Sequence, residues 1–108
     1  MGLTILLVDD DQILIEKAKN SLNWDNLGIG MVFTANNIHE AKGILKVYKV
    51  DILLCDVDMP MGSGLELVEW IREEGMEIKC IFLSSYANFT YAQKALRLGS
   101  DNYLLKPL

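Results

Sequence analysis

One hundred and eight residues is the length of one compact domain, and a composition 51% hydrophobic and 23% charged supports a folded core and argues against disorder. The formal net charge of −5 argues against non-specific attraction to nucleic acid by this segment, so no direct nucleic-acid contact is expected of it. No apolar run approaches the ~20 residues that a membrane helix needs, and the start Met-Gly-Leu-Thr-Ile has neither a secretory signal nor a myristoylation pattern, since Leu6 stands where Ser or Thr is required.

Residues 3–8 form a continuous apolar run, broken only by Thr4, that stops at Asp9-Asp10-Asp11. A helix over 12–22 follows, with Leu14, Ala18 and Leu22 spaced four apart and Asp11 as its N-cap. Residues 23–30 read as a polar, glycine-containing connection, 31–35 as a short strand, and 38–48 as a second helix carrying Ile38, Ala41, Leu45 and Tyr48. Asn37 caps that helix, and Glu40 three residues on completes a capping box.

The third strand runs over 50–55 and delivers Asp56. A loop with Pro60, Gly62 and Gly64 leads to a helix over 65–74. A strand over 79–83, a helix over 89–98 closed by Gly99, and a last strand over 102–105 before Lys106-Pro107 complete the chain. The two cysteines, Cys55 and Cys80, lie inside apolar runs and read as buried strand thiols, which fits a reducing, cytoplasmic setting.

Alternation of apolar strands with helices points to an α/β fold: a doubly wound parallel sheet with helices on both faces. For five strands the flavodoxin-like order 2-1-3-4-5 is the expected one, and ligands then bind outside the carboxyl ends of the central strands. At those ends stand Asp9 and Asp10 (strand 1), Asp56 (strand 3), Ser84 (strand 4) and Lys106 (strand 5). Strand 2 ends in Ala35-Asn36 and offers no charge.

Three crowded carboxylates require counter-charge. Lys106 supplies one positive charge, and a hard divalent cation with oxygen ligands, Mg²⁺ for choice, supplies the rest. Such a site suits in-line phosphoryl transfer to a carboxylate, and Asp56 on the central strand is the natural nucleophile.

With these residues in place the chain resembles, over its whole length, the receiver domains of two-component response regulators. The resemblance rests on Asp9-Asp10 in Leu-Leu-Val-Asp-Asp-Asp, Asp56 in Leu-Leu-Cys-Asp-Val-Asp-Met-Pro, Ser84 in Phe-Leu-Ser-Ser-Tyr, and Lys106-Pro107. It implies that Asp56 accepts a phosphoryl group from a sensor histidine kinase, with Mg²⁺ held by Asp9, Asp10, Asp56 and the backbone carbonyl of Asp58. It implies that Ser84 and Lys106 contact the phosphoryl group, that the Lys106–Pro107 bond is cis, and that Tyr103 changes rotamer with Ser84 to switch the surface of the fourth helix and fifth strand. The domain is then a signalling phosphoacceptor rather than an enzyme in the ordinary sense, although it assists its own phosphorylation and dephosphorylation.

The stretches from Ser84 to Gly99 and from Asn23 to Gly28 are similar to the subgroup that carries an arabinose-regulator-like helix-turn-helix output domain. That likeness implies a DNA-binding output domain elsewhere on a longer chain, with pairing of two phosphorylated copies as a further expectation. Receivers also carry a fifth helix after the Lys-Pro strand. Residues 1–108 are accordingly expected to be a receiver that stops before its last helix, leaving part of one sheet face uncovered.

Two further departures are Ser63-Gly64, where Asp-Gly is usual, and the acidic side chain of Asp58. Among other singled-out residues, His39 reads as a surface residue and Trp70 as near-core packing, while Trp24 is left open between a packing lid and a partner contact. The rival readings are a receiver-shaped interaction module that takes no phosphate, a haloacid-dehalogenase-type phosphatase and an FMN carrier. The phosphatase would need Thr or Val where Pro60 stands, and three aspartates in the first loop would repel a flavin phosphate.

Overall fold

The computed structural model describes residues 2–21, 23–57, 59, 62–84 and 102–105; for 84 and 102–105 it describes the backbone only. The elements are β1 (Leu3–Val8), α1 (Gln12–Ser21), a 3-10 turn (Asp25–Leu27), β2 (Ile29–Ala35), α2 (Ile38–Val47), β3 (Ile52–Asp56), α3 (Gly64–Glu73), β4 (Lys79–Ser84) and β5 (Asn102–Leu105). All pairings are parallel and the sheet order is β2-β1-β3-β4-β5. The expected strand order is therefore the observed one. The helix expected over 89–98 lies outside the described residues.

The strands follow from their sequences. β1 is buried on both faces from Ile5 to Val8, which is why its apolar run does not alternate. The α2–α3 side holds the larger core, in which Leu6, Leu53, Leu67, Val68, Ile71, Cys80 and Phe82 are shut off from solvent. On the α1 side Ile5, Leu7 and Ile29 are buried, with Ala18, Trp24, Val32, Ile52 and Leu54 partly buried against them.

Helix starts are fixed by side-chain caps. Asp11 Oδ1 accepts the N–H groups of Ile13 and Leu14 at 3.1 and 3.2 Å, and Asn37 Oδ1 accepts that of Glu40 at 2.9 Å. Ser63 Oγ accepts the N–H of Leu65 at 3.0 Å to start α3.

β2 begins two residues earlier than the spacing predicts. Ile29 pairs with Leu3 and Met31 with Thr4, so Gly30 is the extra residue of a bulge. A side chain on Gly2 would collide with the backbone of Gly30, and this close approach places glycine in what reads locally as a connection. The segment before it also holds the short 3-10 turn, ended by Gly28 at φ 80°.

Trp24 packs against the α1-side core, and its Nε1–H donates to the Lys19 carbonyl at 2.9 Å, which makes it a packing residue. Trp70 packs at the edge of the larger core, and His39 is exposed. Both cysteine side chains are fully buried and no disulfide joins them. Among the described residues no helix is long and apolar enough to cross a membrane.

Candidate functional site

Val8 pairs with Cys55 in adjacent central strands, so the residues that follow, Asp9 and Asp56, emerge side by side at the carboxyl end of the sheet. Asp9 and Asp56 are buried, at 4% and 6% exposure, and Asp10 is exposed. One carboxylate oxygen from each of Asp9, Asp10 and Asp56 lies within 4.8 Å of the others. Two carboxylates on the floor and one at the rim define a shallow acidic cup.

The cup is built largely by backbone. The Asp9 N–H donates to the Ala35 carbonyl at 3.1 Å, and Asp9 Oδ1 accepts the N–H of Asp11 at 2.9 Å. The second bond turns the chain sharply after β1, so Asp11 is free to cap α1 while Asp9 and Asp10 stay at the sheet edge. On the other side, the N–H of Val57 donates to the Leu83 carbonyl and that of Gly64 to the Val57 carbonyl, at 3.1 and 3.0 Å.

A Cβ on Gly64 would run into the Asp56 carbonyl oxygen and the Cys55 Sγ. The start of α3 therefore lies directly against the backbone of Asp56. In the Ser63-Gly64 pair the serine caps the helix and the glycine permits this approach.

The donor set is all oxygen, and two of its carboxylates are withdrawn from water. Unit charges about 4 Å apart repel by about 4 kcal/mol at a protein-surface dielectric. A hard divalent cation with oxygen ligands fits this set, whereas a soft-metal site would need thiol or imidazole groups.

Of the sequence-predicted site residues, the structure brings together Asp9, Asp10 and Asp56. Ser84 ends β4 as a backbone position, one residue beyond Leu83, which pairs with Asp56; Tyr103 on β5 pairs with Phe82. Their side chains, together with Asp58, Lys106 and Pro107, lie outside the described residues. Asn36, which carries no charge, adjoins this group without being singled out by the sequence pattern. Its side-chain amide donates to the Asp9 carbonyl at 3.4 Å, and its place at the end of β2 is the signal that could have found it.

Comparison with known proteins gives a consistent result. Residues 5–108 match the family described as response regulator receiver domain. Over 103 residues the chain is 35% identical to the transcriptional regulatory protein YesN of Bacillus subtilis, covering 95% of this chain and 28% of that protein. It is 33% identical over 108 residues to the Regulator of RpoS of Escherichia coli, covering 100% of this chain and 31% of the relative. The chain thus spans less than a third of the length of either protein.

Among solved structures, the receiver domain of AraT, a response regulator from Geobacillus stearothermophilus, superposes with a TM-score of 0.87 at 36% identity, covering 99% of this chain and 83% of that one. A CheY-like receiver domain protein from Methanospirillum hungatei gives 0.89 at 27% identity, covering 100% and 84%. The sheet order, the acidic cup at its carboxyl end and these matches place the chain in the response regulator receiver domain family, a family of two-component signalling domains.

Proposed function

We propose that this domain accepts a phosphoryl group on Asp56 from a sensor histidine kinase, with Mg²⁺ at the acidic cup. The observation that carries the reading is the convergence of oxygens from Asp9, Asp10 and Asp56 within 4.8 Å. Asp9, Asp10, Asp56 and the backbone carbonyl of Asp58 would hold the cation. Bound there, it would neutralise charge between the carboxylate and an anionic phosphoryl donor. Asp56 is the nucleophile in this reading: a carboxylate oxygen attacks the phosphorus in line, and the leaving nitrogen of the phosphohistidine departs on the opposite side. Burial of Asp56 in the wall between β1 and β4 fixes its line of approach and limits competing water.

Ser84 and Lys106 are assigned to the phosphoryl oxygens, the hydroxyl as a hydrogen-bond donor and the ammonium as an ion pair, with the Lys106–Pro107 bond cis to aim the ammonium inward. Tyr103 is the aromatic that responds to Ser84 and alters the outer surface near β5. The readout is a cytoplasmic output domain on the same full-length chain, of DNA-binding type, with pairing of phosphorylated copies as its means of control. That relatives of this chain are transcriptional regulatory proteins, YesN of Bacillus subtilis among them, supports this part of the reading.

Incubation with acetyl phosphate and Mg²⁺ tests the proposal by intact mass. One base-labile phosphoryl group is expected on the wild type and none on Asp56→Asn. Equal labelling of the variant would move the acceptor elsewhere, and no labelling of a folded wild type would favour an interaction module that takes no phosphate.

A further inference from the structure

We propose that Asn36 is a positioning residue for the acidic cup: its side-chain amide fixes the peptide between Asp9 and Asp10 and so directs the carboxylates of the β1 end. The inference rests on the cation-dependent reading above and extends it to a residue with no charge.

Asn36 is the first residue after β2, and its Nδ2 donates to the Asp9 carbonyl across 27 positions of sequence. The Asp9 N–H already donates to the Ala35 carbonyl at 3.1 Å. Both backbone groups of Asp9 are therefore tied to the end of β2, one by the main chain and one by a side chain. The Asp9 carbonyl belongs to the peptide that leads into Asp10. Rotation of that peptide would swing the exposed Asp10 carboxylate away from the two buried ones, and a donor on the carbonyl opposes the rotation.

Asn36 is itself anchored. Its backbone N–H donates to Glu40 Oε1 at 3.0 Å, while the N–H of Glu40 returns to Asn37 Oδ1 at 2.9 Å. An ordinary capping box would send the glutamate to the N–H of the cap residue itself. Here the contact falls one residue earlier, on the residue whose side chain reaches Asp9. Ile38, buried in the first turn of α2, lies where a side chain on Gly62 would strike it, so this turn also abuts the loop that follows Asp56. One corner thus braces the chain beyond both acid-bearing strands. A neutral donor suits the role: a lysine would compete with a cation for the carboxylates, and an aspartate would add to their repulsion.

The test is a Mg²⁺ titration of the 108-residue protein followed by amide chemical shifts, in wild type, Asn36→Ala, Asn36→Gln and the control Asp10→Ala. Asn36→Ala should raise the Mg²⁺ dissociation constant roughly 3- to 10-fold, as loss of one neutral hydrogen bond does. The metal-free spectrum should show a displaced Asp10 amide nitrogen, and Asn36→Gln, which restores an amide on a longer arm, should recover part of the affinity. A lower melting temperature with unchanged Mg²⁺ affinity would show a merely structural role and overturn the proposal. Should Asn36→Ala not fold, Asn36→Ser, whose hydroxyl is too short to span the gap, carries the same expectation. If Asp10→Ala weakens binding and the folded Asn36 variant does not, this inference alone fails. If the folded wild type shows no Mg²⁺-dependent shifts, the cation reading fails and takes this one with it.

Discussion

Along β3 alternate residues face opposite sides of the sheet, and their burial separates by side. Leu53 and Cys55 are fully buried on the α2–α3 side, while Ile52 and Leu54 on the α1 side keep part of their surface in solvent. The same strand, with the same kind of side chain, is sealed on one face and half-covered on the other. Burial here is set by the cover that helices provide and not by the hydrophobicity of the strand.

The largest expected contrast comes from truncating this strand and its neighbour. Phe82→Ala and Leu53→Ala, in the sealed core, should each cost ~3–5 kcal/mol in urea unfolding, whereas half-covered Ile52→Ala should cost ~1–2 kcal/mol. Equal costs on the two faces would break the comparison. Lengthening the chain by the next ~15–20 residues, enough for an amphipathic helix, tests the expectation of a fifth helix. In that longer form the cost of Ile52→Ala should rise toward that of Leu53→Ala, and the melting temperature should rise with it.

A smaller effect tests how tightly the sealed face grips the site. Gly64→Ala should destabilise by ~1–3 kcal/mol, since its methyl meets the Asp56 backbone, and phosphoryl acceptance from acetyl phosphate should slow in the same variant. Unchanged rates with lowered stability would separate packing from acceptor geometry. The caps provide a matched pair across the two faces: Asp11→Ala on α1 and Asn37→Ala on α2 should each cost ~1 kcal/mol by thermal unfolding. Smallest is Lys42→Met, which removes an ammonium 5.4 Å from the Trp70 ring centre at the rim of the sealed face; ~0.5–1 kcal/mol is expected.

Much of this was legible in the sequence because strand and helix periods differ and because polar residues break the apolar runs abruptly. The Val8–Asp9 and Cys55–Asp56 boundaries locate the sheet edge, so the positions of the two buried carboxylates follow from the sequence pattern. The start of β2 was not legible, because Gly28 and Gly30 flanking Ile29 look like a connection until Gly2 is seen lying against Gly30. The 3-10 turn was equally hidden, since three residues carry no period. Asn36 was not legible because it carries no charge, and its contact with Asp9 joins residues far apart in sequence. The assignments of Asp58, Lys106 and Pro107, and the side-chain roles of Ser84 and Tyr103, rest on sequence pattern alone.

The positions of Cys55 and Cys80 give the domain an internal clock. Both thiols sit on the two strands that pair at the middle of the sheet, with no exposed surface. A soluble thiol reagent can reach them only when β3 and β4 part or lose their helical cover, so the rate of derivatisation counts openings of the sheet's centre. Cys55 adjoins the proposed acceptor and Cys80 lies toward the opposite end of its strand, so their relative reactivity would report which end of the sheet breathes first. Phosphorylation that tightens the carboxyl end would slow Cys55 more than Cys80, making the pair a built-in gauge of how far signalling rigidity spreads along the sheet.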